Sequence, residues 1–207
     1  MSTGAYRAIR SAPVVFVRTS RHPAAADLAS EGVAYQSFDD VYESADTFDV
    51  VYRQIVERVL REAENGDVVY AVPGHPLVGE ASVGLLMEEA RKKGIEVEIV
   101  GSESFIEASL EALGIGIDEG LKIVDALSLD SVALDSDADN LIYQVYDRQV
   151  ASETKLKLME RYPDDFEITI ISGAGTKEQK LETILLYKLD RCTCDHLTTV
   201  YVPRSSK

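Results

Sequence analysis

Apolar runs alternate with stretches of helical periodicity along this chain, and that alternation predicts its elements. Residues 13–18 (PVVFVR) and 33–38 read as strands with a short helix over 23–30 between them, a βαβ rhythm. Over 47–65, Phe48, Val51, Tyr52, Ile55, Val59 and Ala63 recur at helical spacing, and Gly66 stands where a helix would stop. This is expected to be the longest helix. Residues 67–72 read as a buried strand, and 80–93 as a helix with Val83, Leu86, Met87 and Ala90 on one face. That helix ends in Arg91, Lys92 and Lys93, which complement its dipole before Gly94. Residues 95–100 read as the next strand. The first of these two strands breaks into Pro73-Gly74-His75-Pro76. The second breaks into Gly101-Ser102-Glu103-Ser104, ahead of a helix over 105–113. Two parallel strands ending in small-residue turns predict a shared cleft, because open α/β sheets hold ligands beyond the carboxyl ends of their strands.

From 114 to 139 the pattern weakens into glycines, aspartates and short apolar pieces, which reads as a connection. A strand over 141–146, a helix over 150–162 and a strand over 166–171 follow, the last ending in Ser172-Gly173-Ala174-Gly175-Thr176. Residues 184–187 and 197–202 are expected to pair as antiparallel strands. The expected organisation is an N-terminal α/β domain over 1–115, a connection over 116–138 and a C-terminal α/β domain over 139–207.

Composition narrows the partners. With 207 residues, 45% of them hydrophobic, the chain can bury a large core. Thirty-six acidic against 21 basic residues give a net charge of −15, which repels nucleic acid and anionic membrane, so neither is an expected partner. Arg18, Arg21 and His22 form the one basic cluster. No run approaches the roughly 20 apolar residues of a membrane span, and the N-terminus lacks the apolar core of a secretory signal, so a cytoplasmic location is expected. Cys192, Cys194 and His196 offer three soft ligands without a fourth and are read as ordinary side chains, two of them reduced thiols, so no metal is expected. The Gly-x-Gly of 173–175 lacks the Lys-Ser/Thr of a phosphate-binding loop. Asp39-Asp40, Glu88-Glu89 and Asp164-Asp165 read as solvated faces.

Longer strings carry a resemblance. VVYAVPGHPLVGEASVGLLMEEARKKGIEVEIV, GSESFIEASLEALGI, LIYQVYDRQVASE and SGAGTKEQKLETILLYKL resemble the tetrapyrrole (corrin/porphyrin) methylase family over nearly the whole chain. RTSRHP, FDDVYE, YAVPGHPLVGE, VYDRQVASE and DHLTTVYVP further resemble the methylase-like domain fused ahead of MazG-type nucleoside triphosphate pyrophosphohydrolases. The resemblance implies two α/β domains, the first with a mostly parallel sheet flanked by helices on both faces and the second with a mixed sheet. It places S-adenosylmethionine, without metal, in the cleft between them. It also implies cofactor contacts from Pro73, Gly74, His75, Pro76 and Val78, from Glu103 and Ser104, from Val145 and Tyr146, and from Ala174. Arg18, Arg21 and His22 would then meet the carboxylates of a tetrapyrrole-like acceptor. A homodimer is implied, with a MazG-type domain or chain as a further partner.

Methyl transfer from a sulfonium depends on in-line positioning more than on acid–base chemistry, so no catalytic side chain is assigned. Two features depart from the family. The opening strand and Gly-x-Gly-Pro-Gly loop are not seen ahead of Ser2-Thr3-Gly4-Ala5-Tyr6, which reads as the helix after that loop. His75 stands where methylases carry Asp in Gly-Asp-Pro. Both favour an alternative, a non-catalytic sensing or docking module for a MazG-type pyrophosphohydrolase; a dimerising scaffold with an empty cleft is the third reading. The hydrolase centre itself is absent, since Glu88-Glu89 is followed at the fifth position by Lys92 rather than Glu.

Overall fold

Alternation within one short strand explains the first half of the molecule. In β1 (Val14–Val17), Phe16 points to one face of the sheet and Val15 and Val17 to the other, and all three are buried. A strand apolar on both sides needs helices on both sides. The computed structural model describes residues 1–132 and 134–205. Ala133, inside the stretch read as a connection, and Ser206 and Lys207, at the end of the expected C-terminal domain, lie outside them. The chain divides into two compact units, Met1–Ser104 and Phe105–Lys207.

In the first unit, β1 lies between β2 (Gln36–Ser37) and β3 (Val68–Ala71), and all three strands are parallel, with Phe16 opposite Gln36 and Tyr70. The helices α1 (Thr3–Ser11) and α2 (Pro23–Ser30) cover the Val15 and Val17 face through Ile9 and Leu28. On the Phe16 face lie α3 (Asp39–Ser44), α4 (Phe48–Ala63) and α5 (Ala81–Lys93), which contribute Val41, Val51, Ile55, Val59, Leu86 and Ala90. Phe16 stacks on Phe38 at 5.0 Å between ring centres, and Tyr70 meets Phe38 edge-on. Of the predicted α4 stripe, Val51, Ile55 and Val59 are buried, joined by Val56 and Leu60, whereas Phe48 at the helix start is 61% exposed. Gly94 ends α5 in the left-handed conformation, φ 70°, that glycine tolerates best.

The second unit opens with α6 (Phe105–Leu113) and is built on a five-stranded mixed sheet of order β4-β5-β8-β6-β7. Its strands are β4 (Leu121–Asp125), β5 (Asp139–Tyr143), β6 (Glu167–Ser172), β7 (Lys180–Leu185) and β8 (Thr198–Val202). One face packs on α7 (Arg148–Met159) and on 3-10 turns over Ala126–Ser128 and Leu186–Arg191, burying Ile142, Leu158, Ile168, Leu186, Leu189 and Val200. Fully burying each of these aliphatic side chains contributes about 1.5–3 kcal/mol.

Four sequence expectations change. Residues 95–100 join no sheet: beyond the bond from Ile95 N–H to Ala90 O, none of their backbone groups has a backbone partner among the described residues. A β-rich run becomes a strand only beside another strand, and β3 pairs with β1 alone. The weakly patterned stretch 116–138 contains β4, which lies parallel to β5. Residues 184–187 and 197–202 do not pair with each other; β7 and β8 flank β6 on opposite sides, both antiparallel to it. Of 33–38, only Gln36 and Ser37 form ladder.

Candidate functional site

The turn after β3 has the backbone that its Pro-Gly-x-Pro composition demands. Gly74 has φ 75° and Gly79 φ 68°, both in the left-handed region where a β-carbon is costly. Two local bonds shape the loop between them: Val78 N–H donates to His75 O at 3.0 Å, and Leu77 N–H to His75 Nδ1 at 3.1 Å. Gly74 is exposed, and His75, Pro76 and Val78 are half-buried.

The two predicted turns of the first unit meet. A β-carbon on Gly74 would lie 3.9 Å from Glu103 O and from the Ser104 Cα. One on Gly101 would lie only 2.7 Å from Nε2 of His75, so the imidazole rests on bare glycine backbone. Ser2 ties the start of α1 to the same place: its Oγ donates to Gly101 O at 2.7 Å, and its N–H to Ser102 Oγ at 3.0 Å. Thus Pro73 to Pro76, Val78, Glu103 and Ser104 form one local group, although 95–100 is no strand.

In the second unit the candidates sit around the exits of β5 and β6. Val145 is fully buried, whereas Tyr146 is 37% exposed. Asp147 caps α7, its carboxylate accepting from Val150 N–H at 2.8 Å. Ala174 lies in a turn between Gly173 (φ 61°) and Gly175 (φ 76°), and a β-carbon on Gly175 would stand 3.2 Å from that of Ala108 on α6. Sequence reasoning missed Gln144, just before Val145, whose φ of 63° makes it the one non-glycine residue at positive φ among the described residues. Such backbone conformations concentrate at functional sites, and side-chain patterning carries no signal of them.

Each member of the basic cluster has an internal contact. Arg18 Nη1 donates to Glu80 Oε2 at 2.8 Å, with the Glu80 side chain only 3% exposed. The other Glu80 oxygen accepts from Ser82 Oγ at 2.6 Å, and Ser82 Oγ lies 2.9 Å from the Tyr70 hydroxyl. Burial, reinforced by the Glu80 charge, drives the Tyr70 phenol far above its ordinary range, so it stays protonated. Burial likewise pushes the nearby Tyr42 up to about 12. Arg21 pairs with Glu43 on the surface, and His22 caps α2 with Nδ1 accepting from Ala24 N–H. Nothing in the sequence pattern flags the Glu80–Ser82–Tyr70 chain.

Beside Arg18, the Asp39 carboxylate pins the loop after β1. Burial raises its pKa, but the hydrogen bonds donated by Ser20 and Thr19 outweigh this and hold it well below the usual carboxylate range. A depressed folded-state pKa gives stability that is present above the unfolded value near 4 and lost as pH falls below it. Asp39→Asn is therefore expected to flatten the acid limb. The urea midpoint of the parent should fall more than the variant's between pH 7 and pH 3.5, and equal losses would remove Asp39 from that limb.

Cys192 and Cys194 are reduced and partly buried, and burial pushes the Cys194 thiol up to about 11. Among the described residues, no three His, Cys, Asp or Glu side chains converge to hold a metal ion, and no helix is long and apolar enough to cross a membrane. What the turns offer instead is main-chain N–H and C=O groups at glycines of positive φ, which suits the orientation of a small ligand.

Comparison with known proteins places this architecture. The chain is 40% identical over 204 residues to the uncharacterized protein YabN of Bacillus subtilis (strain 168), a match covering 98% of this chain and 42% of YabN. The chain thus spans less than half the length of that relative. Among solved structures, it superposes on uroporphyrin-III-C-methyltransferase from Thermus thermophilus with a TM-score of 0.74, at 16% identity, covering 99% of this chain and 88% of that one. A structure of the Thermus thermophilus enzyme complexed with S-adenyl homocysteine matches with a TM-score of 0.67, at 16% identity over 97% of this chain and 90% of that one. At such identities these likenesses speak for the fold. The model of the tetrapyrrole (corrin/porphyrin) methylases matches residues 1–190, and the chain belongs to that family.

Proposed function

We propose that this chain binds S-adenosylmethionine and directs its methyl group to a tetrapyrrole-like small molecule. The observation that carries the reading is the packing of the Gly74 turn on Glu103 and Ser104. Backbone groups there are presented by glycines that any side chain would strain or obstruct, which fits a nucleoside ligand held by main-chain bonds. When bound, S-adenosylmethionine supplies an electrophilic methyl carbon on a sulfonium. Within the first unit, Pro73 to Pro76, Val78, Glu103 and Ser104 would hold it; Val145, Tyr146 and Ala174 are the candidates that the family resemblance adds. The chain's work is to orient the acceptor in line and exclude water, since no proton need move before the methyl does.

Of the three basic candidates for acceptor carboxylates, Arg21 is the most available. Its pair with Glu43 is exposed on both sides, and such pairs are worth about 0–1 kcal/mol, so a carboxylate of the acceptor can displace it. Arg18 is committed to a buried partner.

Calorimetry with S-adenosylmethionine and S-adenosylhomocysteine tests the reading. Micromolar affinity is expected, with loss in Gly74→Trp, and labelled-methyl transfer to tetrapyrroles would then establish turnover. No heat from either ligand with folded protein would overturn it. That result would favour the second reading, a non-catalytic sensing or docking module working with a MazG-type pyrophosphohydrolase. The observation supporting that module is the His75 imidazole, which lies against the backbone of Gly101 instead of facing outward.

A further inference from the structure

One residue touches both stems of the Gly74 loop. Arg18, the first residue after β1, donates its backbone N–H to the carbonyl of Ala71 at 2.9 Å, where the chain leaves β3. Its guanidinium Nη1 reaches Glu80 Oε2 at 2.8 Å, where the chain enters α5. Residues 72–79 therefore span a gap whose two ends are held by the backbone and side chain of the same amino acid. Glu80 occupies the N-cap position of α5 yet makes no side-chain cap bond, because both its oxygens are engaged by Arg18 and Ser82. Ser82 is itself fully buried and lies in hydrogen-bond contact with Tyr70 on β3, so the Glu80 anchor is braced against the strand from which the loop departs.

We propose that Arg18 is a positioning residue that clamps the loop 72–79 and so presets the main-chain groups of the Gly74 turn for their ligand. This rests on the proposed cofactor site and adds to it the device that holds the site in shape. The loop needs such a device. Two of its residues, Gly74 and Gly79, are glycines at positive φ, and among the described residues its interior is tied by two bonds, both made to His75. A segment of this kind has many unbound conformations, and each one removed before binding lowers the ordering cost that the ligand must offset. A buried carboxylate also gives a clamp that water reaches from the Arg18 side alone, where the side chain is 31% exposed. Burial of Glu80 at 3% exposure keeps the pair from exchanging partners as a surface pair would.

The test compares the parent protein with Arg18→Gln, Arg18→Lys and Glu80→Gln. Three quantities are read: amide hydrogen exchange over 72–79, thermal midpoint, and calorimetric affinity for S-adenosylmethionine. In Arg18→Gln, exchange over 72–79 is expected to accelerate at least tenfold while that of β1 and of the second-unit sheet stays unchanged, and the dissociation constant should rise at least tenfold. Arg18→Lys, which keeps a cation for Glu80, is expected to recover part of both. If Arg18→Gln does not fold, Glu80→Gln removes the charge while keeping the shape, and the same localised acceleration is expected. Unchanged loop exchange in every folded variant overturns the clamp, as does acceleration spread evenly over the whole first unit, which marks a merely structural pair. If the parent binds neither S-adenosylmethionine nor its demethylated product, the cofactor reading fails, while the exchange data still decide whether Arg18 holds the loop.

Discussion

Gly74→Val is expected to weaken S-adenosylmethionine binding by at least tenfold in a protein that still folds. At φ 75° a side chain crowds its own carbonyl at a cost of about 1–2 kcal/mol, and a β-branched residue is the least tolerant. About 1.4 kcal/mol is a factor of ten, so strain alone accounts for the tenfold loss if the loop holds its conformation only part of the time. Bulk adds to strain. The first atom of the side chain would point at Glu103 O and Ser104 Cα at ordinary contact distance, 3.9 Å, and the valine methyl groups would press beyond it onto the backbone of the second turn. Gly74→Ala separates the two effects, since it carries the strain without the extra methyls, and an intermediate affinity is expected. Calorimetry alongside thermal melts checks both variants. A valine variant that binds like the parent would show that the ligand does not use this turn.

Asn140→Leu should have the largest effect on stability, about 3 kcal/mol. Asn140 is fully buried on β5, and its amide is the hub of a small polar network. Its Nδ2 donates to Asp135 O at 2.6 Å and Ala138 O at 3.0 Å and lies 3.1 Å from the Tyr162 hydroxyl, while Oδ1 accepts from Asp135 N–H. Leucine has similar size but makes none of these four bonds, each worth about 0.5–1.5 kcal/mol net, and the partly buried Ala138 carbonyl loses this partner. Tyr162 retains its own bond to Asp135 O, which limits the loss. Urea unfolding followed by signals of the second unit is the measurement. A change under 1 kcal/mol would mean that water enters and satisfies the orphaned groups.

The fold was legible wherever one local period persisted. α4 and α5 announce themselves by apolar residues at helical spacing, and Gly94 by its place after three cationic residues. β1 and β3 do so by short apolar runs that only a sheet covered on both faces can bury. The strings that resembled the family were equally local, because a turn such as Pro73-Gly74-His75-Pro76 takes its shape from the φ restrictions of its own residues.

Three matters lay beyond any local window. Residues 95–100 have the composition of a strand, but strand formation needs a partner's backbone, and among the described residues they pair with no strand, the outer edge of β3 included. The pairing of β4 with β5 and the placement of β6 between β7 and β8 depend on closing long loops, whose cost and reward are not written in neighbouring residues. The basic cluster shows the same divide for charge. Sequence supplies Arg18 and Glu80 as two solvated ions 62 positions apart, and only the folded chain takes that carboxylate out of water against that guanidinium. Local chemistry determined which segments could be helices, strands and turns. Tertiary contact alone decided which strands found neighbours and which charges became a clamp, because burial and pairing are properties of the assembled interior and not of any stretch of sequence.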